Sequence, residues 1–250
     1  MWLKPYKEND LAISGKALSL SLMLLLLAGS GRAFTLEPMS ATLEPKGFGA
    51  AKTFRLDNES SNKIAFQITM ATREMDEEGK ENLEPVTNLF TLFPPQGIID
   101  PGQSQNVRLV WRGTSSPTNE LCYRIIAEEL PVNFSLEKGK AQIKILIRYQ
   151  GTVYIRPRGA KPDLKVQSLS QTPTNVWLLT IANAGSAHEN LMNPRLTLTD
   201  SSGQQTVITT NYIGNIEGEN VLPHHTRTFV VTLPKEIKAQ DYRVKLDVDE

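Results

Sequence analysis

From Phe34 onward turn residues cut the sequence into short runs of strand character, and this punctuation restricts the fold more than any other feature. The runs occupy 34–43, 51–58, 62–73, 87–93, 104–111, 121–130, 141–156, 163–168, 175–182, 195–199, 205–209, 226–233 and 241–248. Between them stand Glu-Pro-Lys-Gly at 44–47, Asp-Asn-Glu-Ser-Ser-Asn at 57–62, Asp-Pro-Gly at 100–102 and Asp-Ser-Ser-Gly at 200–203. Glycine reaches positive φ, proline presets φ, and Asn, Asp and Ser side chains bond the local backbone, so each cluster reverses the chain. Many short strands joined in this way predict an all-β architecture of sandwiches. The stretch 74–85 is acidic and polar and reads as a loop or a hairpin tip.

The chain after Ala33 is about twice the roughly 100 residues of one sandwich, so two domains are expected. The best boundary is Arg156-Pro157-Arg158-Gly159-Ala160-Lys161-Pro162, where two prolines and a glycine break the sheet pattern before a fresh series of strands. The expected domains are therefore 34–157 and 158–250. The N-terminus reads as a signal peptide over 1–33. Lys4, Lys7 and Lys16 precede a leucine-rich apolar run from Ala17 to Ala28, and the small residues Gly31 and Ala33 suit a signal peptidase. The run is short for a membrane span, which disfavours an uncleaved anchor. The expected product is exported and soluble, without membrane insertion after cleavage. In a Gram-negative cell that compartment is the periplasm.

Charge and chemistry exclude several functions. The 27 basic residues balance 27 acidic ones, so no global field draws the chain to nucleic acid. With Cys122 alone, an intramolecular disulfide is excluded, and Leu121-Cys122-Tyr123 reads as a strand with a small buried hydrophobe. His224-His225 lies in a turn with no third ligand spaced nearby, and His188 stands alone in a polar loop. No phosphate-cradling glycine loop and no Gly-x-Ser-x-Gly elbow is present. Glu128 and Glu129 are adjacent in a strand and face opposite sides, so they cannot jointly flank a bond. No enzyme, no cofactor and no metal are expected. Trp177, in Val-Trp-Leu-Leu-Thr-Ile, is a core aromatic of the second sandwich.

One strand carries more than an ordinary pattern. In Ala-Gln-Ile-Lys-Ile-Leu-Ile-Arg-Tyr at 141–149, Ile143, Ile145, Ile147 and Tyr149 alternate with Gln142, Lys144, Leu146 and Arg148. Period two places the first set on one face. The alternation alone fits a half-buried strand. At a sheet edge, however, such bulky apolar teeth could complete another protein's unfinished core.

Motifs around this strip settle between those readings. Phe93-Pro94-Pro95-Gln96-Gly97-Ile98-Ile99-Asp100-Pro101-Gly102-Gln103-Ser104-Gln105-Asn106-Val107-Arg108-Leu109 comes first. Glu120-Leu121-Cys122-Tyr123-Arg124 follows and runs on to Glu128-Glu129-Leu130-Pro131. The alternating strip and Tyr154-Ile155-Arg156-Pro157 close the series. In order and spacing these resemble the periplasmic pilus-assembly chaperones of the chaperone–usher pathway, over most of 34–157 and more weakly beyond. The resemblance implies two immunoglobulin-like β-sandwich domains arranged as a boomerang. It also implies donor-strand complementation: the chaperone lends a strand to a pilus subunit whose sandwich lacks one, then delivers the subunit to an outer-membrane usher. The donor residues would be Ile143, Ile145 and Ile147, with Tyr149 as a continuation. Fully burying each isoleucine is worth roughly 1.5–3 kcal/mol before the costs of association.

The family anchors the subunit's C-terminal carboxylate with two basic residues in the interdomain cleft. Here Ser40 and Thr152 stand at those positions, and the departure suggests the archaic branch. Arg124, in Tyr-Arg-Ile, is the leading substitute, although an ordinary exposed arginine would read the same. Arg148 is the second candidate. Glu120 and Arg156 match two members of the family's interdomain salt bridge, with Asp241 as the expected third. Arg108 reads as structural or as a contact to the usher. The alternative from another class is an exported β-sandwich pilin or adhesin subunit. Self-association of the free protein through the exposed strand stays open.

Overall fold

The computed structural model describes residues 34–132, 145–238 and 242–249. The expected signal peptide, Ile143 and Asp241 lie outside them. Among the described residues no helix is long and apolar enough to cross a membrane. Strands dominate, as the turn punctuation predicts, and among the described residues the α-helix is a single turn, Thr210–Ile213.

The first sandwich runs through twelve strands: β1 (Phe34–Glu37), β2 (Ser40–Leu43), β3 (Ala51–Asn58), β4 (Ile64–Thr72), β5 (Glu74–Met75), β6 (Glu81–Asn82), β7 (Pro85–Val86), β8 (Phe90–Phe93), β9 (Gln96–Ile99), β10 (Ser104–Trp111), β11 (Leu121–Glu129) and β12 (Arg148–Ile155). One sheet has the order β1-β3-β10-β8. The other has the order β2-β12-β11-β4-β7, with β9 also on β4. Alternate residues point into the space between them, as period two requires. Phe54 and Leu56, Val107 and Leu109, Phe66 and Ile68, Tyr123 and Ile125, and Val153 and Ile155 form one buried cluster.

The second sandwich contains β13 (Leu164–Gln171), β14 (Trp177–Asn183), β15 (Glu189–Asn190), β16 (Arg195–Thr199), β17 (Gln205–Ile208), β18 (Asn220–Val221), β19 (Thr226–Val231) and β20 (Arg243–Asp247). Its ladders are β13-β14-β19, β17-β16-β20 and the short pair β15-β18. Trp177, Leu179, Ile181, Leu196, Leu198 and Phe229 belong to a second buried cluster that shares no residue with the first. Trp177 is thus the core aromatic its sequence context predicts.

Three expectations change in detail. The run 34–43 is two strands in different sheets, because the chain turns at Pro38, which has no N–H for a ladder. The acidic stretch 74–85 is a hairpin, β5-β6, turned by Gly79 at φ 90° and by Asp76 Oδ1 accepting from the Lys80 N–H at 2.8 Å. The strand expected over 141–156 enters its ladder only at Arg148, and residues 141–144 lie outside the described residues.

Candidate functional site

β12 is paired unequally along its two flanks. On one side it runs antiparallel to β11 from Glu128↔Arg148 to Leu121↔Ile155. On the other it pairs parallel to β2 only from Thr152↔Ser40 to Ile155↔Leu43. Among the described residues no strand pairs with Arg148–Gly151 on that second flank. An edge of this kind offers backbone donors and acceptors to another chain.

The apolar face of the strip continues the core-facing side of β12. Val153 and Ile155 are fully buried in the first core. Four residues before Val153, Tyr149 is half-buried, with its ring 6.0 Å from that of Phe34. Ile147 is half-buried against the same core, and its carbonyl accepts from the Glu129 N–H at 2.9 Å. Ile145 is 79% exposed. One face therefore passes from complete burial to open solvent within ten residues. Ile145 and Ile147 lie before the β11–β12 ladder, whose first pair is Glu128↔Arg148. Tyr149 and part of Ile147 are occupied by the protein's own core, and Ile145 has none.

The opposite face of the same strand carries polar groups. Arg124 on β11 stands opposite Thr152, and the Arg124 guanidinium donates to Thr152 Oγ1. Arg124 also makes a forked contact with Glu81, through Nε to Oε2 at 2.8 Å and Nη2 to Oε1 at 2.5 Å. Arg73, just past β4, donates from Nε to the same Oε1 at 2.7 Å and from Nη1 to the Tyr154 hydroxyl at 3.1 Å. Side-chain exposure is 6% for Arg73 and 17% for both Arg124 and Glu81. Arg124 is thus a largely buried, fixed group rather than an ordinary surface arginine. Burial opposes charge on Glu81, but the hydrogen bonds from Arg124 and Arg73 outweigh it and hold the carboxyl below the usual glutamate range.

Arg148 is placed elsewhere. Its side chain is 52% exposed and lies 3.9 Å from Glu128. Four residues of strand separate it from Thr152, roughly 13 Å at the rise of an extended chain. The cation that shares a partner with Arg124 is Arg73, which the sequence reading passed over. A pattern signal for it existed: Arg73 ends an apolar strand just before the polar hairpin, as Arg124 interrupts one. Ser40 and Thr152, at the positions where the resemblance expects basic residues, are direct register partners, and the Arg124 guanidinium bonded to Thr152 lies beside them.

Glu120 and Arg156 meet as expected, through Oε2 and Nε. The third member among the described residues is His188. Its Nδ1 lies 2.5 Å from Glu120 Oε1, its backbone N–H donates to the same oxygen at 3.1 Å, and its ring stacks on Tyr154 at 3.7 Å. The Glu120 side chain is fully buried. Burial works to raise its pKa, yet the contacts to His188 and Arg156 prevail and keep it low. Isolated in sequence, His188 gave no signal, because its partners are contributed by strands of the first sandwich.

Burial and the neighbouring Glu120 charge push the Cys122 thiol up to about 12. His225 Nδ1 bonds the Pro223 carbonyl at 2.8 Å, and among the described residues no cluster of His, Cys, Asp or Glu could hold a metal.

Comparison with known proteins agrees with this arrangement. Residues 41–161 match the family model described as pili and flagellar-assembly chaperone, PapD N-terminal domain. The solved CsuC–CsuE chaperone–tip adhesion subunit complex of archaic Csu pili from Acinetobacter baumannii aligns with a TM-score of 0.57 at 18% identity, over 86% of this chain and 98% of that one. A chaperone–tip adhesin complex of CFA/I fimbriae aligns at 0.55 and 16% identity, over 88% and 100%. The E. coli chaperone DraB aligns at 0.52 and 17% identity, over 82% and 86%. At these identities the likeness is one of fold, two immunoglobulin-like sandwiches. No curated protein matches the chain.

Proposed function

Residues 41–161 match the family of pilus and flagellar-assembly chaperones, and from that match we propose that the chain binds pilus subunits in the periplasm by donor-strand complementation and passes them to an outer-membrane usher. The observation that carries this reading is the apolar face that runs from the buried Val153 of β12 back to the 79% exposed Ile145 just ahead of the strand, whose N-terminal half has one unpaired flank among the described residues. An unfinished partner sandwich needs both backbone bonding and apolar side chains, and this edge offers both. The donor set is Ile143, Ile145 and Ile147, and Tyr149 closes the protein's own core behind them. Arg124 anchors the subunit's terminal carboxylate, with Arg73 as the second cation in place of Arg148. The two domains divide between Arg156 and Pro162. Support for that boundary comes from two buried cores without a common residue and from the absence, among the described residues, of any ladder across it.

Two substitutions test the reading in a pull-down from periplasm with co-expressed subunits. Ile145→Asp should abolish recovery of small β-rich partners while the free protein keeps its melting temperature, since this side chain is largely exposed. Arg124→Glu should cut recovery with the isoleucines intact. Wild-type yields from Ile145→Asp would refute the donor assignment.

A further inference from the structure

The anchor is already occupied. Arg124 spends Nε and Nη2 on the two oxygens of Glu81 and its remaining Nη1 on Thr152, so its forked face holds a carboxylate before any ligand arrives. A second carboxylate cannot take that face while Glu81 keeps it, because a planar guanidinium presents only one such fork per edge. Resting on the reading that Arg124 receives a terminal carboxylate, we propose that Glu81 is a built-in placeholder for it. Glu81 fills the fork in the free protein, yields Arg124 to the incoming carboxylate, and competes for it again at release.

Two features make the exchange inexpensive. First, Glu81 does not leave its charge unpaired when it moves. Its Oε1 also accepts from Arg73 Nε at 2.7 Å, whereas among the described residues Oε2 accepts from Arg124 alone. Rotation of the carboxyl toward Arg73 breaks the Arg124 fork and retains a salt bridge. Second, the charges in the cluster are unequal: two guanidinium groups share one carboxylate. An arriving carboxylate gives each cation its own anion, and a shared partner becomes two separate pairs. Buried or half-buried charges favour that balance strongly.

Backbone movement is not needed. Glu81 opens β6, and the hairpin that carries it is tied down at the tip. There the Glu77 carbonyl accepts from the Thr228 N–H at 2.8 Å, and Gly79 lies against the Arg227 guanidinium. A fixed hairpin with a swinging carboxyl keeps the competitor at high effective concentration. Anchoring is thereby weakened in a controlled way, as hand-over of a subunit requires.

The test uses residues 34–250 and a fluorescent, acetylated strand peptide of alternating apolar residues. One version ends in a free carboxylate and the other in an amide. The wild type should prefer the carboxylate form. Glu81→Gln should widen that preference by about tenfold, with amide binding unchanged. Glu81→Asp, too short to span both arginines, should do the same and carries the test if Glu81→Gln fails to fold. Arg124→Gln should erase the preference. A preference reduced or unchanged in both Glu81 variants overturns the placeholder while leaving the anchor standing. A preference that survives Arg124→Gln, or is absent from every chain, overturns the anchor and the placeholder with it.

Discussion

Several residues here owe their behaviour to a single neighbour. Cys122 sits on a central strand with its Sγ 4.0 Å from Glu120 Oε1, and burial with that negative charge raises the thiol to about 12. At pH 8 almost none of it is thiolate, the reactive form. Alkylation by iodoacetamide should therefore run at least about a hundredfold slower in the native protein than in denaturant. Comparable rates in the two states would contradict this environment. Gly79 is a second case. Its φ of 90° suits glycine, and a β-carbon there would come within 2.2 Å of Arg227 Nη2. Arg227 has little freedom to retreat, because it is buried and holds the Asn220 carbonyl at 2.8 Å and Glu219 at 2.9 Å. Gly79→Ala should cost about 1–3 kcal/mol, read as a lower urea midpoint with an unchanged slope.

At the scale of elements, β12 performs two tasks with one pattern. Its C-terminal half is an interior strand, with β11 on one flank and β2 on the other. Its N-terminal half has β11 alone and continues into the exposed Ile145 and Leu146. The division falls where β2 begins, because the chain leaves the first sheet at Pro38 and joins the second at Ser40. A longer β2 would cover the edge. Hydrogen exchange should report this asymmetry: the amides of Val153–Ile155 should be protected near the global limit, and those of Ile145–Ile147 should exchange orders of magnitude faster. Uniform protection along 145–155 would mean that the edge is covered in the free protein, as self-association would do.

For the molecule as a whole, polar contacts join the two cores. Glu120 accepts from His188, its own N–H donates to the Ser186 carbonyl at 2.9 Å, and the Tyr154 hydroxyl accepts from Asn220 Nδ2 at 3.2 Å. A buried pair of this kind adds little net stability when intact, but removing one partner leaves a charge unpaired. It is also sensitive to acid. Glu120 has a folded-state pKa below its unfolded value, so its contribution is complete above the unfolded glutamate value of about 4.3. That contribution is lost as pH falls through the folded value. Glu120→Gln should lower stability by about 2–3 kcal/mol at pH 7, since Arg156 keeps part of its surface in water, and the deficit should shrink below about pH 4. A deficit that is constant from pH 7 to pH 3 would show that the carboxylate charge is not what matters.

The amino-acid order by itself determined what depends on near neighbours. Turn residues placed most strands, period two sorted inward from outward faces, and ordered motifs pointed to the family whose model residues 41–161 match, because each of these signals spans a few residues. It also singled out Arg124, since a charge in an apolar strand stands out locally, while the Glu120–Arg156 pair came only from the resemblance. Only the tertiary structure decided how much of the alternating strip lies outside its own core, for that depends on where β11 and β2 end. It alone brought Arg73 and Glu81 to Arg124, and His188 to Glu120 from 68 positions away. Partnership among buried charges is a matter of distance in space, and no local spacing in the chain encodes it.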